Sequence, residues 1–493
     1  MTAEPDLTAD LLVIGWGKAG KTLAGALARQ GRRVVIVEQS SRMYGGTCIN
    51  IGCVPSKSLI HRAETRDPHT GPDDAYREAV ASTATLTGAM RRKNFEMLDT
   101  LDSVTVITGQ ATFTGPDTIE IRPAAISEGS PVSAEEEPPA DALARLTVRA
   151  ETIVINTGAR PALPGIDGLH GPGRSRAVVT STELLSRPGR PRHLVVLGGG
   201  YVGVEFAAMH AGYGTPVTLI ARGPSILARE EPDAVAAAVE ILTEAGVTIV
   251  TDAQVTSVQD EEPDGGAGSP DSGGGWANVS YERAGLIETV RADVVLAALG
   301  RQPDTAVLDL SAAGVETDAR GAVVVDDRLR TSVPHVYAVG DVNGGPQFTY
   351  VSLDDHRIVL DQLTGTGARS TADRRAVPST VFMTPPLARV GLTRAEAEAA
   401  GHRVRVATRR VADMATVPRA KIVGEPRGLM IAVVDAETDL ILGVTMLAHD
   451  AHETINTVAL AMRHGITARQ LRDEIYTHPS MTESLNDLFA NLA

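Results

Sequence analysis

Two glycine clusters, each set between an apolar run and a helical pattern, constrain this 493-residue chain more than any other feature. The first is Gly15-Trp-Gly-Lys-Ala-Gly20. An apolar run at 10–14 leads into it, helical spacing follows over 22–30, and a strand at 34–37 closes on Glu38. The second is Gly198-Gly-Gly-Tyr-Val-Gly203, between a strand at 194–197 and a helix carrying 205–210, with the next strand at 217–220. Gly15, Gly17 and Gly20, and again Gly198, Gly200 and Gly203, satisfy the G-x-G-x-x-G spacing. Such a turn brings backbone N–H groups at a helix N-terminus to a phosphate. Two units about 180 residues apart predict two dinucleotide domains in an α/β chain.

The first cluster fits a second pattern. Gly15, Gly20, Lys21 and Thr22 also match the phosphate loop G-x-x-x-x-G-K-[ST]. Three features favour the dinucleotide reading: the middle glycine, Glu38 placed 18 residues past Gly20 to meet a ribose, and the second cluster itself. In the second unit the strand runs Leu219-Ile220-Ala221-Arg222. A carboxylate for a ribose diol is missing, and an arginine that can pair with a 2′-phosphate follows. That favours NADPH over NADH.

The chain holds only two cysteines, Cys48 and Cys53, within Gly45-Gly-Thr-Cys-Ile-Asn-Ile-Gly-Cys-Val-Pro-Ser-Lys57. A disulfide within one chain can join only these two. A close pair in a chain otherwise free of cysteine reads as redox chemistry rather than a structural staple. With 46 Lys plus Arg against 61 Asp plus Glu, the net charge of −15 argues against nucleic-acid and anionic-membrane partners. No run of eighteen apolar residues and no basic, then apolar leader is visible, so a cytoplasmic protein is expected.

Three stretches rich in Gly, Pro, Ser and acid read as loops: 65–74, 127–141 and 260–275. From about Ala376 the pattern changes. Strand-like runs at 429–434 and 440–446, then helical patterns at 452–464 and 482–492, predict a third, α+β domain.

In order, the Gly15 cluster with Glu38, the Cys48/Cys53 block, Thr157-Gly158, the Gly198 cluster with Glu205, Gly300-Arg301, Gly340-Asp341 and His478-Pro479 with Glu483 resemble the flavoprotein disulfide reductases along nearly the whole chain. This class I pyridine nucleotide-disulfide oxidoreductase group includes mercuric reductase and dihydrolipoamide dehydrogenase. Runs such as 344–355, 381–386 and 476–489 are most similar to its reactive-chlorine-resistance branch, described as cupric reductases.

The resemblance implies FAD, two Rossmann-like domains and a C-terminal dimerisation domain. It assigns 1–165 and 298–370 to FAD, 166–297 to NAD(P)H and 371–493 to a homodimer interface. By the same resemblance Gly15, Gly17, Gly20, Glu38, Gly46, Thr47, Thr157, Gly158, Gly300 and Asp341 hold FAD. Gly198, Gly200, Gly203 and Arg222 hold the nucleotide, and Tyr201 is an aromatic gate. Lys57, on one helix face with Cys53 in a helix starting near Cys48, pairs with Glu205 beside the flavin. Cys53 faces the flavin and Cys48 the substrate. His478, hydrogen-bonded to Glu483 and supplied by the partner subunit, serves Cys48 as acid–base.

Electrons then pass from NAD(P)H through FAD to the Cys48–Cys53 disulfide and on to a small-molecule or metal-ion acceptor. Cu(II) is the expected acceptor, with Cys48 and Cys53 as transient ligands, in defence against oxidants such as hypochlorous acid. A small disulfide, Hg(II) or a quinone are the alternatives, and a redox sensor is the reading from another class. The chain departs from many members in having Tyr476 where they carry a histidine, and in lacking a second, C-terminal cysteine pair.

Overall fold

Residues 5–124, 145–261 and 275–493 are described by the computed structural model. Strand β1 (Leu7–Ile14) explains the first unit. Its consecutive apolar side chains point alternately to opposite faces. Leu11 and Val13 join one buried cluster, while Leu12 and Ile14 join another. A strand covered on both faces belongs in a parallel sheet. Its parallel neighbours are β2 (Val34–Glu38) and Leu146–Ile155. Val104–Phe113 and Val336–Ala338 extend the parallel order on either side. Thr118–Pro123 adds antiparallel pairing to Val104–Phe113 and to Leu146–Ile155.

Helix α1 (Lys18–Ala28) begins four residues earlier than its spacing suggested. Its N-cap is Gly17, so the glycine cluster itself forms the entry turn. The cysteine segment differs from expectation. It folds as two helices, α2 (Thr47–Asn50) and α3 (Cys53–Glu64), not one. Ile51 leaves helical geometry at φ −141°, and Gly52 lies so close to Thr47 that a Cβ would meet its carbonyl oxygen at 2.9 Å. Cys53 therefore opens a fresh helix. Lys57 still stands one turn beyond it.

The loop read at 65–74 ends early, because α4 (Pro72–Asp99) starts at a proline followed by Asp73 and Asp74. Proline at a first turn loses no intrahelical bond, and acids there suit the helix dipole. Residues 127–141 and 262–274 lie outside the described residues.

Compact packing divides the chain into two units. One is Met1–Ser58, Val80–Ala162 and Arg301–Asp373; the other is Leu59–Ala79, Leu163–Gly300 and Arg374–Ala493. The second unit holds a parallel sheet in the order Val247–Val250, Val217–Ile220, Leu194–Leu197, Val294–Ala297, Val178–Val179. It also holds an antiparallel meander, Ala253–Asp260, Ala277–Arg283 and Leu286–Ala292. Its third sheet is antiparallel, in the order Ser379–Val381, Leu387–Gly391, Ile441–Leu447, Leu429–Asp435, Val404–Arg410. Helices Ala451–Arg463 and Ser484–Ala490 pack their Ile455, Val458, Leu485 and Leu488 into the core of that sheet.

Candidate active site

In the first unit the glycine turn closes on Asn156. Gly15 has φ +97°, and a Cβ there would meet Asn156 O at 2.5 Å. The Asn156 amide accepts from Gly20 N–H (2.8 Å) and donates to Val339 O (2.8 Å). Glu38 is 6% exposed and accepts from Trp16 N–H (3.0 Å) and Ser40 N–H (3.3 Å). Burial pushes its carboxyl up to about 7 against those hydrogen bonds. Asp341 is also raised by burial, with Arg301 pulling the other way. Thr157 Oγ1 is buried and has no hydrogen-bond partner among the described residues. Gly158, at φ +72°, has only Thr47 Oγ1 near its missing Cβ, at 4.0 Å. Two desolvated carboxylates, an unpaired hydroxyl and an open glycine are the groups a bound dinucleotide would satisfy. The residues present fit FAD.

Lys21 decides the phosphate-loop question. Its Nζ donates to Gly45 O (3.1 Å) and Asn94 Oδ1 (2.5 Å), and burial lowers the amine to about 8. Thr22 Oγ1 is bonded to Lys18 O at 2.6 Å. Both side chains are spent on the protein. Helix α4 thereby braces the cysteine loop, and Arg91 of the same helix adds a bond to Asn50 Oδ1 at 2.8 Å.

That loop turns through Gly45 (φ +98°) and Gly46 (φ +75°) before Thr47 starts α2. Cys48 is half-buried, Cys53 is exposed, and neither is in a disulfide. The Cys48 thiol is pushed up, first by its hydrogen bond to Cys53 and then by burial. Cys48 therefore holds its proton more tightly than an ordinary thiol. The Cys53 sulfur also lies 3.6 Å from Thr349 Oγ1. Thr349, Asn94 and Asn156 were not read from sequence. Only Asn156 has a local signal, standing directly before Thr157-Gly158.

In the second unit, Gly200 is the N-cap of the Tyr201–Gly212 helix and has open space where a Cβ would stand. Gly203 instead abuts Gly198 O. Arg222 is exposed at the end of the Val217–Ile220 strand. A Cβ on Gly300, at φ +111°, would also meet open space. Glu205 is buried and accepts from Phe382 N–H at 3.0 Å. His478 Nδ1 lies 2.8 Å from Glu483 Oε2, while Ser480 N–H fixes the other carboxylate oxygen at 2.9 Å. The His478 side chain is 66% exposed, so its Nε2 edge is presented outward. Tyr476 is turned away from such a role by its hydroxyl bond to Leu471 O at 2.9 Å. Among the described residues no three His, Cys, Asp or Glu side chains form a metal-holding group. No helix among them is long and apolar enough to cross a membrane.

Two glycine turns, a vicinal pair of thiols and a histidine–glutamate pair define a pyridine-nucleotide-linked dithiol oxidoreductase. The chain belongs to the pyridine nucleotide-disulphide oxidoreductase family: that family's profile matches residues 9–355 and its dimerisation-domain profile matches 377–489. The family is FAD-dependent and uses NAD(P)H. The chain is 43% identical over 480 residues to the "Probable pyridine nucleotide-disulfide oxidoreductase RclA" of Escherichia coli (strain K12), covering 97% of this chain and 98% of that protein. It is 33% identical to a mercuric reductase of Streptomyces lividans, covering 97% and 94%. A solved structure, the Cu(II) complex of the HOCl-induced flavoprotein disulfide reductase RclA from Escherichia coli, matches with a TM-score of 0.86 at 41% identity, covering 98% of this chain and 99% of that one.

Glu38 makes a measurable prediction. An acid whose folded pKa is raised stabilises the fold below its ordinary 4.5, and this is lost as pH rises through about 7. Flavin-free protein is expected to lose roughly 3 kcal/mol from this group between about pH 5 and pH 8. Thermal melts should show Glu38→Gln flattening that window. A ribose diol donating to the carboxylate favours its ionised form, so added FAD should flatten it as well. A wild-type slope equal to that of Glu38→Gln would remove the assignment.

Proposed function

We propose that this protein passes electrons from NADPH to Cu(II) through Cys48 and Cys53, as a defence against hypochlorous acid. The observation that carries the reading is the thiol pair itself: the chain's only two sulfhydryls stand in hydrogen-bond contact in one braced loop. Thiolates are soft donors that suit Cu(I), the product ion. The likeness to the Escherichia coli protein solved with Cu(II) supports the choice of acceptor. The balance is one NADPH and two Cu(II) giving NADP⁺, two Cu(I) and one proton.

Bound FAD supplies hydride acceptance from nicotinamide and two-electron delivery to a disulfide. The residues proposed to hold it are Gly15, Gly17, Gly20, Glu38, Gly46, Thr47, Lys57, Thr157, Gly158, Gly300 and Asp341. Gly198, Gly200 and Gly203 carry the nucleotide turn. Exposed Arg222, in place of a carboxylate, supports the choice of NADPH. Cys53 takes the flavin side, as the order of the pair in the family implies. Cys48, which keeps its proton, takes the acceptor side. His478, oriented by Glu483, exchanges that proton. It acts on the partner's cysteine in a homodimer built on 371–493. Lys57 and Glu205 bias charge near the flavin. Segments 1–165 and 298–370 form the FAD domain and 166–297 the nucleotide domain. An otherwise thiol-free chain supports a cytoplasmic setting.

The test is rapid mixing of NADPH-reduced holoenzyme with Cu(II). The expected result is flavin reoxidation well above the rate in air, with Cu(I) trapped at two per NADPH. A rate equal to that in air would overturn the choice of Cu(II).

A further inference from the structure

Tyr201 is held by a carboxylate that the reaction described above does not use. Its hydroxyl donates to Glu230 Oε1 and lies 3.5 Å from Ser379 Oγ. The Glu230 side chain is 1% exposed, and its second oxygen accepts no hydrogen bond among the described residues. Arg389 Nε stands 3.6 Å from that free oxygen. The same guanidinium donates to Arg229 O at 2.7 Å and reaches Glu396 at 3.4 Å.

The segment carrying Glu230 is itself fixed over the glycine turn. Leu227 N–H donates to Gly199 O at 2.8 Å, and a Cβ on Gly199 would meet Ile226 at 2.9 Å. Leu227 is buried in the left-handed region at φ +48°, a conformation a branched residue adopts only when its surroundings impose it. Next along the chain, Glu231 accepts from Arg394 N–H at 2.5 Å. The acceptor for Tyr201 is thus held by both the nucleotide turn and the Leu387–Gly391 strand.

We propose that Glu230 is a positioning residue that latches Tyr201 over the nucleotide turn, and that Arg389 retains the Glu230 carboxylate when the tyrosine moves aside. This rests on reading Tyr201 as the gate. A buried carboxylate that lost the tyrosine donor would otherwise be left unpaired, at a cost of about 1–3 kcal/mol or more. With Arg389 already beside it, opening breaks one hydrogen bond and leaves an ion pair. Nucleotide affinity is then set in part by the strength of the latch.

The experiment is calorimetric titration of oxidised holoenzyme with NADP⁺, alongside thermal melts, for Tyr201→Phe, Glu230→Gln, their combination and Tyr201→Ala. Tyr201→Phe keeps the ring and removes only the latch. It is expected to tighten NADP⁺ binding by about three- to tenfold, the scale of one net hydrogen bond. Glu230→Gln is expected to tighten it too, and the double variant no more than the stronger single one, as coupled partners require. Additive effects, or an unchanged Kd in Glu230→Gln with only a lower melting temperature, would overturn the latch. An unchanged Kd in Tyr201→Ala would instead overturn the gate reading beneath it. A shift in Tyr201→Ala without one in Glu230→Gln sinks the latch alone.

Discussion

Cys53→Ser is expected to lower NADPH-driven reduction of the acceptor by about a thousandfold, on the scale of losing a nucleophile that works as part of a unit. Serine at this position has no accessible anion near neutral pH, whereas thiols titrate within reach of it. No third cysteine exists to take over. Cys48→Ser should be comparably slow, yet the two variants should differ in colour. Cys48→Ser keeps the exposed sulfur beside Thr349, so on the proposed order of the pair a long-wavelength absorption from a thiolate against the flavin should survive. Cys53→Ser removes it. Steady-state rates and absorption spectra check both halves. A Cys53→Ser protein that retains half the wild-type rate would move the acceptor's entry point from the thiols to the flavin.

His210 should make the second unit sensitive to acid. It lies near the end of the Tyr201–Gly212 helix and is fully buried with its ring against Tyr76 and Phe206, Tyr76 in turn meeting Tyr213 edge-on. Neither ring nitrogen has a hydrogen-bond partner among the described residues, and the Tyr76 hydroxyl also has none. Burial, helped by Arg190, lowers the imidazole to about 3. The ring is therefore neutral in the folded state and must stay so. For a base with a depressed folded pKa, full stability holds above the unfolded value of 6.5 and is lost as pH falls toward 3. The loss approaches roughly 4–5 kcal/mol at the acid end. His210→Phe fits the same aromatic cluster without ring nitrogens, so its melting temperature should fall far less between about pH 7 and pH 4. Parallel curves for the two proteins would show that other groups govern the acid transition.

The elements that sequence reading located are those whose pattern is local. The strands at Leu194–Leu197 and Val217–Ile220 coincide with their expected bounds, because each is a short apolar run between turn residues. The strands Ile441–Leu447 and Leu429–Asp435 are within a residue of expectation for the same reason. What escaped was non-local. Helix α4 has 28 residues with little amphipathic contrast, and Phe95 and Leu98 gain meaning only when they meet Trp16 and Tyr44. The break between α2 and α3 depends on the approach of Gly52 to Thr47, which periodicity does not encode. In the site, the glycines, Glu38 and both cysteines were legible because chemistry fixes their spacing. Lys21 was misleading, since its amine could be aimed at a phosphate until Asn94, 73 positions away, is seen to hold it. Glu230 and Arg389 carried no motif, and their link to Tyr201 exists only in three dimensions.

The confinement of both sulfhydryls to one loop gives the molecule an analytical simplicity. Intact mass, which normally averages over many side chains, becomes a local gauge here: the loss of two hydrogens, or the count of maleimide adducts, reports the oxidation state of Cys48 and Cys53 with no peptide mapping. The half-buried and the exposed thiol should also label at different rates, so a time course separates them. Redox poise inside a living cell can then be read from whole protein.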